Sequence, residues 1–417
     1  MRLAALAVIW LATRAWMLWL LHHSQEWVTG DVGYYFASVH ALGDAGLDHT
    51  LVEYPVPGVW ALAVPYVVAS VLGDPAQYQN LLFGLGLATD LGFAVLLWWS
   101  ARGRSLLPAT VWVLGVPLLG VTALARFDLL PGVLVGVAVL LLGRRPAASG
   151  VVLALAAGAK LWPVVLVPAL LGVARTRRRV LVAVGATGLV LAVASLVAAG
   201  PARLFSPLAY QADRGLQIES VPATPVVAAW SLVRGGWQVV FAASRSYEIT
   251  GPGVSALVAV STFAAAAYVV GLLAAWSGLL VLARRGVDVD TRTTVWLLLA
   301  SVTGYVVVSK GLSPQYLLWV LPVAAAGLVV ADHRALRLWT AGLLVAMLLT
   351  QVVFPWGYTD IVNGIGPLPL YGAALAGRNA LLLGLVVAAG LQVWWGLREA
   401  GLPAPGFGQS ASIQSTL

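Results

Sequence analysis

The chain has 417 residues, 60% hydrophobic and only 10% charged, with a mean hydropathy of +0.91. Soluble domains carry about 25% charged residues, so the composition excludes an ordinary water-soluble enzyme and makes the bilayer the solvent. The net charge of +8 does not imply nucleic acid as a partner, because short cytoplasmic loops of membrane proteins collect Lys and Arg. With no cysteine, there is no disulfide framework, thiol nucleophile or Cys-ligated metal site. The histidines (His22, His23, His40, His49, His333) have no metal-ligand spacing, and no cofactor is expected.

The first apolar stretch, Leu3–Leu21, contains Arg14 and is not followed by an A-x-A cleavage site, so it reads as a retained helix and not a signal peptide. A spanning helix needs roughly 20 mostly apolar residues. Further runs of this kind are Leu81–Ser100, Leu106–Ala125, Leu129–Leu142, Val180–Ala199, Val254–Ala283, Thr294–Val308, Tyr316–Val330, Leu338–Val353 and Ala373–Leu397. The expected fold is therefore an all-α integral membrane bundle of about ten full spans, over residues 1–397, with a disordered cytoplasmic tail at 398–417.

Two apolar stretches, Val56–Leu72 and Ala147–Val173, are placed by charge sidedness. Basic clusters lie at Arg102/Arg104, Arg144/Arg145, Arg175/Arg177/Arg178/Arg179, Arg284/Arg285 and Arg334/Arg337. If all are cytoplasmic, Ala147–Val173 starts and ends on one side. It is then a re-entrant hairpin turning at Lys160-Leu-Trp-Pro163, with Pro163 as the breaker. Non-helical backbone at membrane depth survives only against protein or a wet cavity. The same parity makes Val56–Leu72 a half-embedded helix within a long external loop from His22 to Asn80. Most acids, including Asp31, Glu53, Asp128, Asp213 and Glu219, then fall outside; Asp288, Asp290, Asp332 and Glu399 fall inside, and Asp90 is intramembrane. Gly132-Val-Leu-Val-Gly136 is a GxxxG pattern and reads as close helix packing.

Six polar segments collect on the external face. Thr29-Gly-Asp31-Val-Gly-Tyr-Tyr35 follows the first helix, and Asp31 has a plain alternative role as a helix N-cap. Glu53-Tyr-Pro-Val-Pro57 opens the half-embedded helix, and Arg126-Phe-Asp128 occupies a tight turn. Lys160 sits at the hairpin tip, where an ionisable side chain costs about 2.5–3.5 kcal/mol; snorkelling is its plain alternative. Tyr210 to Ser220 carries Arg214 and Glu219, and Ser309-Lys310-Gly-Leu-Ser-Pro-Gln315-Tyr316 joins two spans. Arg126, Lys160, Arg214 and Lys310 are cations that can converge on one phosphate without a metal. A carboxylate beside them suits glycosyl transfer from a lipid phosphate: the base takes a hydroxyl proton, and the cations stabilise the leaving phosphate.

As an ordered set these motifs resemble glycosyltransferase family 87, polytopic GT-C-type enzymes that include actinobacterial mannosyltransferases using polyprenyl-phosphate-mannose. The resemblance runs through Gly30-Asp31-x-x-Tyr34, Glu53-Tyr-Pro55, Arg126-Phe-Asp128, Ala159-Lys160-Leu-Trp-Pro163, Arg214-Gly-Leu-Gln-Ile-Glu219 and Ser309-Lys310-x-x-Ser-Pro-Gln-Tyr316. It implies an inverting transferase with Asp31 as catalytic base, a polyprenyl-phosphate sugar donor entering from the outer leaflet, and no metal. Val56 stands where the family has a second consecutive proline.

The expected function is transfer of a mannose-like sugar from that donor to a lipid or polysaccharide acceptor, at the outer face of a bacterial plasma membrane. Asp31 is the base; Arg126, Lys160, Arg214 and Lys310 are phosphate ligands; Glu53, Asp128, Glu219 and Gln315 orient those cations or the sugar. The rival readings are a lipid-linked-sugar flippase or other transporter, and a non-catalytic envelope-assembly subunit. A transporter is expected to bind near the midplane and often shows repeated halves, whereas here no repeat is visible.

Overall fold

A computed structural model describes residues 2–172, 174–212 and 214–401. Asp213 and most of the expected tail therefore lie outside the described residues. The helices are α1 (Arg2–His23), α2 (Gly30–His40), the single turn α3 (Leu42–Ala45), α4 (Val56–Val71), α5 (Tyr78–Ser100), α6 (Leu107–Gly115), α7 (Leu129–Leu141) and α8 (Pro146–Ala159). Then follow α9 (Ala174–Ala212), α10 (Thr224–Val233), α11 (Val254–Arg284), α12 (Thr291–Val308), α13 (Leu317–Val330), α14 (Arg334–Gln351), α15 (Tyr358–Asn363) and α16 (Leu368–Glu399).

Among the described residues, 7 helices are long and apolar enough to cross a membrane, as a multi-pass membrane protein requires. Their outer faces carry large apolar side chains, such as Val190, Val197, Phe263, Val270 and Val387. Water would not tolerate an apolar surface of that extent on a monomer. The remaining three expected spans, Leu106–Ala125, Leu129–Leu142 and Tyr316–Val330, form shorter helices. The first of them breaks in its middle. α6 ends at Gly115, and a 3-10 segment, Val116–Ala123, contains Gly120 at φ 57°. That left-handed backbone suits glycine. There is also no room for a Cβ, which would stand 2.9 Å from Gln351 Nε2.

α13 is the centre of the bundle: every residue from Leu317 to Leu328 is buried. Gly132 and Gly136 of α7 allow its close approach. A Cβ on Gly132 would collide with the Leu318 carbonyl, and one on Gly136 would meet Phe93 and Pro322. The GxxxG pattern is thus a packing device, as expected.

The expected all-α architecture has one exception. β1 (Gln238–Phe241) and β2 (Tyr247–Thr250) form an antiparallel hairpin, pairing Gln238 with Thr250 and Phe241 with Tyr247. It folds over the loop after α9, where Ile218 N donates to Tyr247 O (3.1 Å) and Ile249 N to Leu216 O (3.0 Å).

The stretch after α7 does double back. α8 ends at Ala159, and Lys160 is extended (φ −153°, ψ 139°). A 3-10 segment then runs from Trp162 to Gly172. Leu166 and Leu170 of this second limb share a void with Leu153 and Ser149 of the first, so the limbs lie side by side. The break precedes Pro163, which occupies an early position of the new segment, where its missing N–H costs nothing.

Helix order sorts the charge to two ends. The limbs of α7, α8, α9, α12 and α13 each have an arginine cluster near one end and one of the polar motifs near the other. At the arginine end, Ser100, Arg144, Thr291 and Val330 meet around one pocket, and Val289 N donates to Gly172 O (2.9 Å).

Candidate active site

At the other end lies a cavity of about 420 Å³. Seven of the nine expected site residues line it: Asp31, Glu53, Arg126, Lys160, Arg214, Glu219 and Gln315. Asp128 and Lys310 do not. Asp128 lies one layer deeper, and the Lys310 carbonyl accepts from Gln217 N (3.1 Å).

Asp31 is in the first turn of α2, but it is not the cap. The N-cap is Thr29, without a side-chain capping bond, so the capping role considered for Asp31 is corrected. Its side chain is 45% exposed and pairs with Arg126 (Oδ2–Nε 2.9 Å). Arg126 also donates to Val28 O (2.7 Å) and Ala125 O (3.2 Å). It thereby fixes the turn before α2 to the turn before α7, and with it the carboxylate of Asp31.

Lys160 is held in a box. Its Nζ is 2.7 Å from Asp128 Oδ1, with side-chain exposures of 19% and 0%. The rings of Tyr54 (5.1 Å) and Trp319 (5.5 Å) flank the ammonium. Trp319 Nε1 donates to the same Asp128 oxygen (2.7 Å), and Tyr316 and Trp162 stack on its ring at 3.9 and 5.0 Å. Asp128 is thus the ion-pair partner of Lys160. The ion pair also means that snorkelling does not account for Lys160.

Glu219 is buried and pairs with Arg378 of α16 (Oε2–Nη1 3.0 Å). The Glu219 carbonyl accepts from Arg378 Nη2, and Asn379 Nδ2 reaches Thr224 Oγ1 at 2.7 Å. Burial pushes the Glu219 carboxyl up, against the pull of Arg378, to about 7 from an ordinary 4.5. The folded state then binds a proton that the unfolded chain has released, so stability must fall as pH rises from about 4.5 to about 7. We expect the thermal midpoint in detergent to decline over that window, and Glu219→Gln to remove that decline. A Glu219→Gln profile identical to wild type would assign the dependence elsewhere.

Several contributors were given no role by sequence reasoning. Tyr34 stands beside Glu53, and burial together with that carboxylate pushes its hydroxyl far above the usual phenol range, so it stays neutral. Arg203 is buried and donates to the carbonyls of Leu47 (2.9 Å), Thr50 (3.2 Å) and Leu51 (3.0 Å). It hangs the loop that ends in Glu53-Tyr54 on the far limb of α9. Trp27, Phe354, Tyr358, Tyr247 and Phe241 supply an aromatic wall, with Trp27 stacked on Tyr358 at 6.2 Å. The hairpin turn adds Ser244, Arg245 and Ser246.

Comparisons with protein-family models, curated proteins and solved structures find no match. What the site can do therefore follows from its own residues. They offer an accessible carboxylate held by a guanidinium, further cations, hydroxyl donors, and ring faces that are apolar while their edges hydrogen-bond. This set suits a ligand with a polyhydroxylated ring and an anionic group.

Proposed function

We propose that the protein is an inverting glycosyltransferase. It takes a mannose-like sugar from a polyprenyl phosphate and attaches it to a hydroxyl of a lipid or polysaccharide acceptor. The observation that carries this reading is Asp31: an exposed carboxylate fixed by Arg126 in a polar and aromatic cavity, at the end of the bundle away from the arginine clusters. In this reading the arginine clusters are cytoplasmic, which the positive-inside rule supports, and the cavity opens at the extracytoplasmic face of a bacterial plasma membrane.

In the proposed step, Asp31 accepts the proton of the acceptor hydroxyl. The hydroxyl oxygen attacks the anomeric carbon from the face opposite the phosphate. The bond from that carbon to the phosphate oxygen breaks, its electron pair leaves with polyprenyl phosphate, and the configuration inverts. Cationic groups in the cavity, Arg126, Lys160 and Arg214 among them, oppose the charge that develops on the leaving group. The resemblance of the ordered motifs to glycosyltransferase family 87 supports the same reading.

A transporter would keep a polar site near the midplane. Asp90, an acidic side chain within the apolar helix α5, is instead sealed by Arg14 (2.8 Å), by Trp10 Nε1 (2.6 Å) and by burial, which favours transfer over transport. The test is to incubate membranes containing the protein with a panel of polyprenyl-phosphate sugars. We expect one donor to yield a glycosylated product and free polyprenyl phosphate. If properly inserted protein turned over none of them, the transferase reading would be lost.

A further inference from the structure

We propose that Arg245, on the turn between β1 and β2, is a phosphate-ester ligand of the cavity. The transferase reading suggests which phosphate ester arrives, but the site itself is argued from its geometry.

Charge pairing comes first. Arg126 already pairs with Asp31 at 2.9 Å and Lys160 with Asp128 at 2.7 Å, so each brings a partly neutralised charge to a ligand. Arg245 also lines the cavity, yet among the described residues it forms no salt bridge. Its guanidinium lies over the ring of Tyr34, 4.0 Å from the centroid. The carboxylate on its own hairpin, Glu248, is occupied by Ser244 Oγ (2.6 Å) and Gly215 N (3.2 Å), and Glu53 by Tyr34. A guanidinium stacked on a ring keeps its in-plane N–H groups available, and these match two phosphate oxygens at once.

The backbone points the same way. Arg245 has φ 54°, a left-handed conformation that is uncommon for a residue with a long side chain. Strain of this kind is kept where the surroundings over-determine it, often at ligand sites. Here the turn is pinned by Tyr210, whose hydroxyl donates to Ser244 O (2.8 Å). Ser244 gives its hydroxyl proton to Glu248 (2.6 Å) and lies 2.9 Å from the Ser246 hydroxyl, which ties the turn further.

Position supplies the third argument. Tyr34 follows Asp31 by one turn of α2, a separation of about 5–6 Å between side chains. Arg245 therefore sits over a ring anchored one helical turn from the proposed base, in the same cavity.

The test uses two probes, polyprenyl phosphate without sugar and inorganic phosphate, titrated into purified full-length protein and followed by tryptophan fluorescence. Arg245→Asn removes the cation while tolerating the left-handed backbone, and Arg245→Lys keeps the charge but loses the fork. We expect Arg245→Asn to bind polyprenyl phosphate roughly tenfold to a hundredfold more weakly, with Arg245→Lys in between and the thermal midpoint unchanged. Weakening toward both probes identifies a general phosphate site; weakening toward polyprenyl phosphate alone identifies a lipid-phosphate site. Arg245→Asn protein that binds polyprenyl phosphate like wild type would overturn the assignment, as would a wild type that binds neither probe. The two proposals fail separately. Arg245-dependent binding without sugar transfer by any donor removes the transferase reading alone, whereas transfer with Arg245-independent binding removes this assignment alone.

Discussion

Asp31→Asn protein is expected to insert and fold normally and to lose transfer by about 10²–10⁴-fold, the usual contribution of a positioned base. The substitution keeps the size of the side chain and its place in the first turn of α2, where Asp31 makes no capping bond that folding depends on. It removes the negative charge facing Arg126 at 2.9 Å, but this pair is partly exposed and such pairs are worth little to stability. The backbone carbonyls of Val28 and Ala125 continue to hold Arg126. Binding of polyprenyl phosphate should be retained or slightly strengthened, because a negative group leaves the cavity. Loss of turnover with binding intact separates a chemical role from a structural one. Residual transfer above roughly a tenth of wild type would leave Asp31 outside the chemistry.

The largest effect on stability is expected at Arg14. This side chain, 2% exposed, makes a two-pronged pair with Asp90 (Nε–Oδ2 2.8 Å, Nη2–Oδ1 2.9 Å), and Nη1 donates to Val113 O at 2.6 Å. Asp90, at 0% exposure, also accepts from Trp10 Nε1 at 2.6 Å. Arg14→Met leaves the Asp90 charge buried without its cation, and breaking such a pair costs about 3–5 kcal/mol. We expect a sharply lower thermal midpoint in detergent. Arg14→Met combined with Asp90→Leu should recover much of the loss, since apolar replacement of a whole buried pair is often neutral. If the single variant melted like wild type, or the double variant melted lower still, α1 and α5 would not be held together by this pair.

Sequence periodicity and charge made the helical class and the gathering of polar motifs legible. The motifs stood out because ionisable residues are rare in an apolar chain, so Asp31, Arg126, Lys160 and Arg214 attract notice one by one. What could not be read was who pairs with whom. Glu219 meets Arg378 across 159 positions, and Arg378 sits inside an otherwise apolar helix with no local sign of its purpose. Lys160 and Asp128 were both singled out, but their contact depends on the hairpin bringing the end of α8 to the start of α7. The β hairpin was illegible for a different reason. Its strands are four residues each, too short for alternation to rise above chance. The run at Leu106–Ala125 is apolar throughout, and only the space left beside Gln351 shows why Gly120 interrupts it.

The cavity has two unlike walls. On one side Lys160 and Tyr316 are backed by Asp128 and Trp319 of the packed centre, stacked ring on ring and tied to buried helices. The facing wall is made of the loop after α9 and the hairpin, joined by a few hydrogen bonds across short strands. One half of the mould is therefore fixed and the other is replaceable. Substitutions or insertions around residues 238–250 can reshape what fits without disturbing the bundle, because loops tolerate change where cores do not. Selection for a different ligand would act first on the hairpin positions around Arg245, while the core side stays as it is.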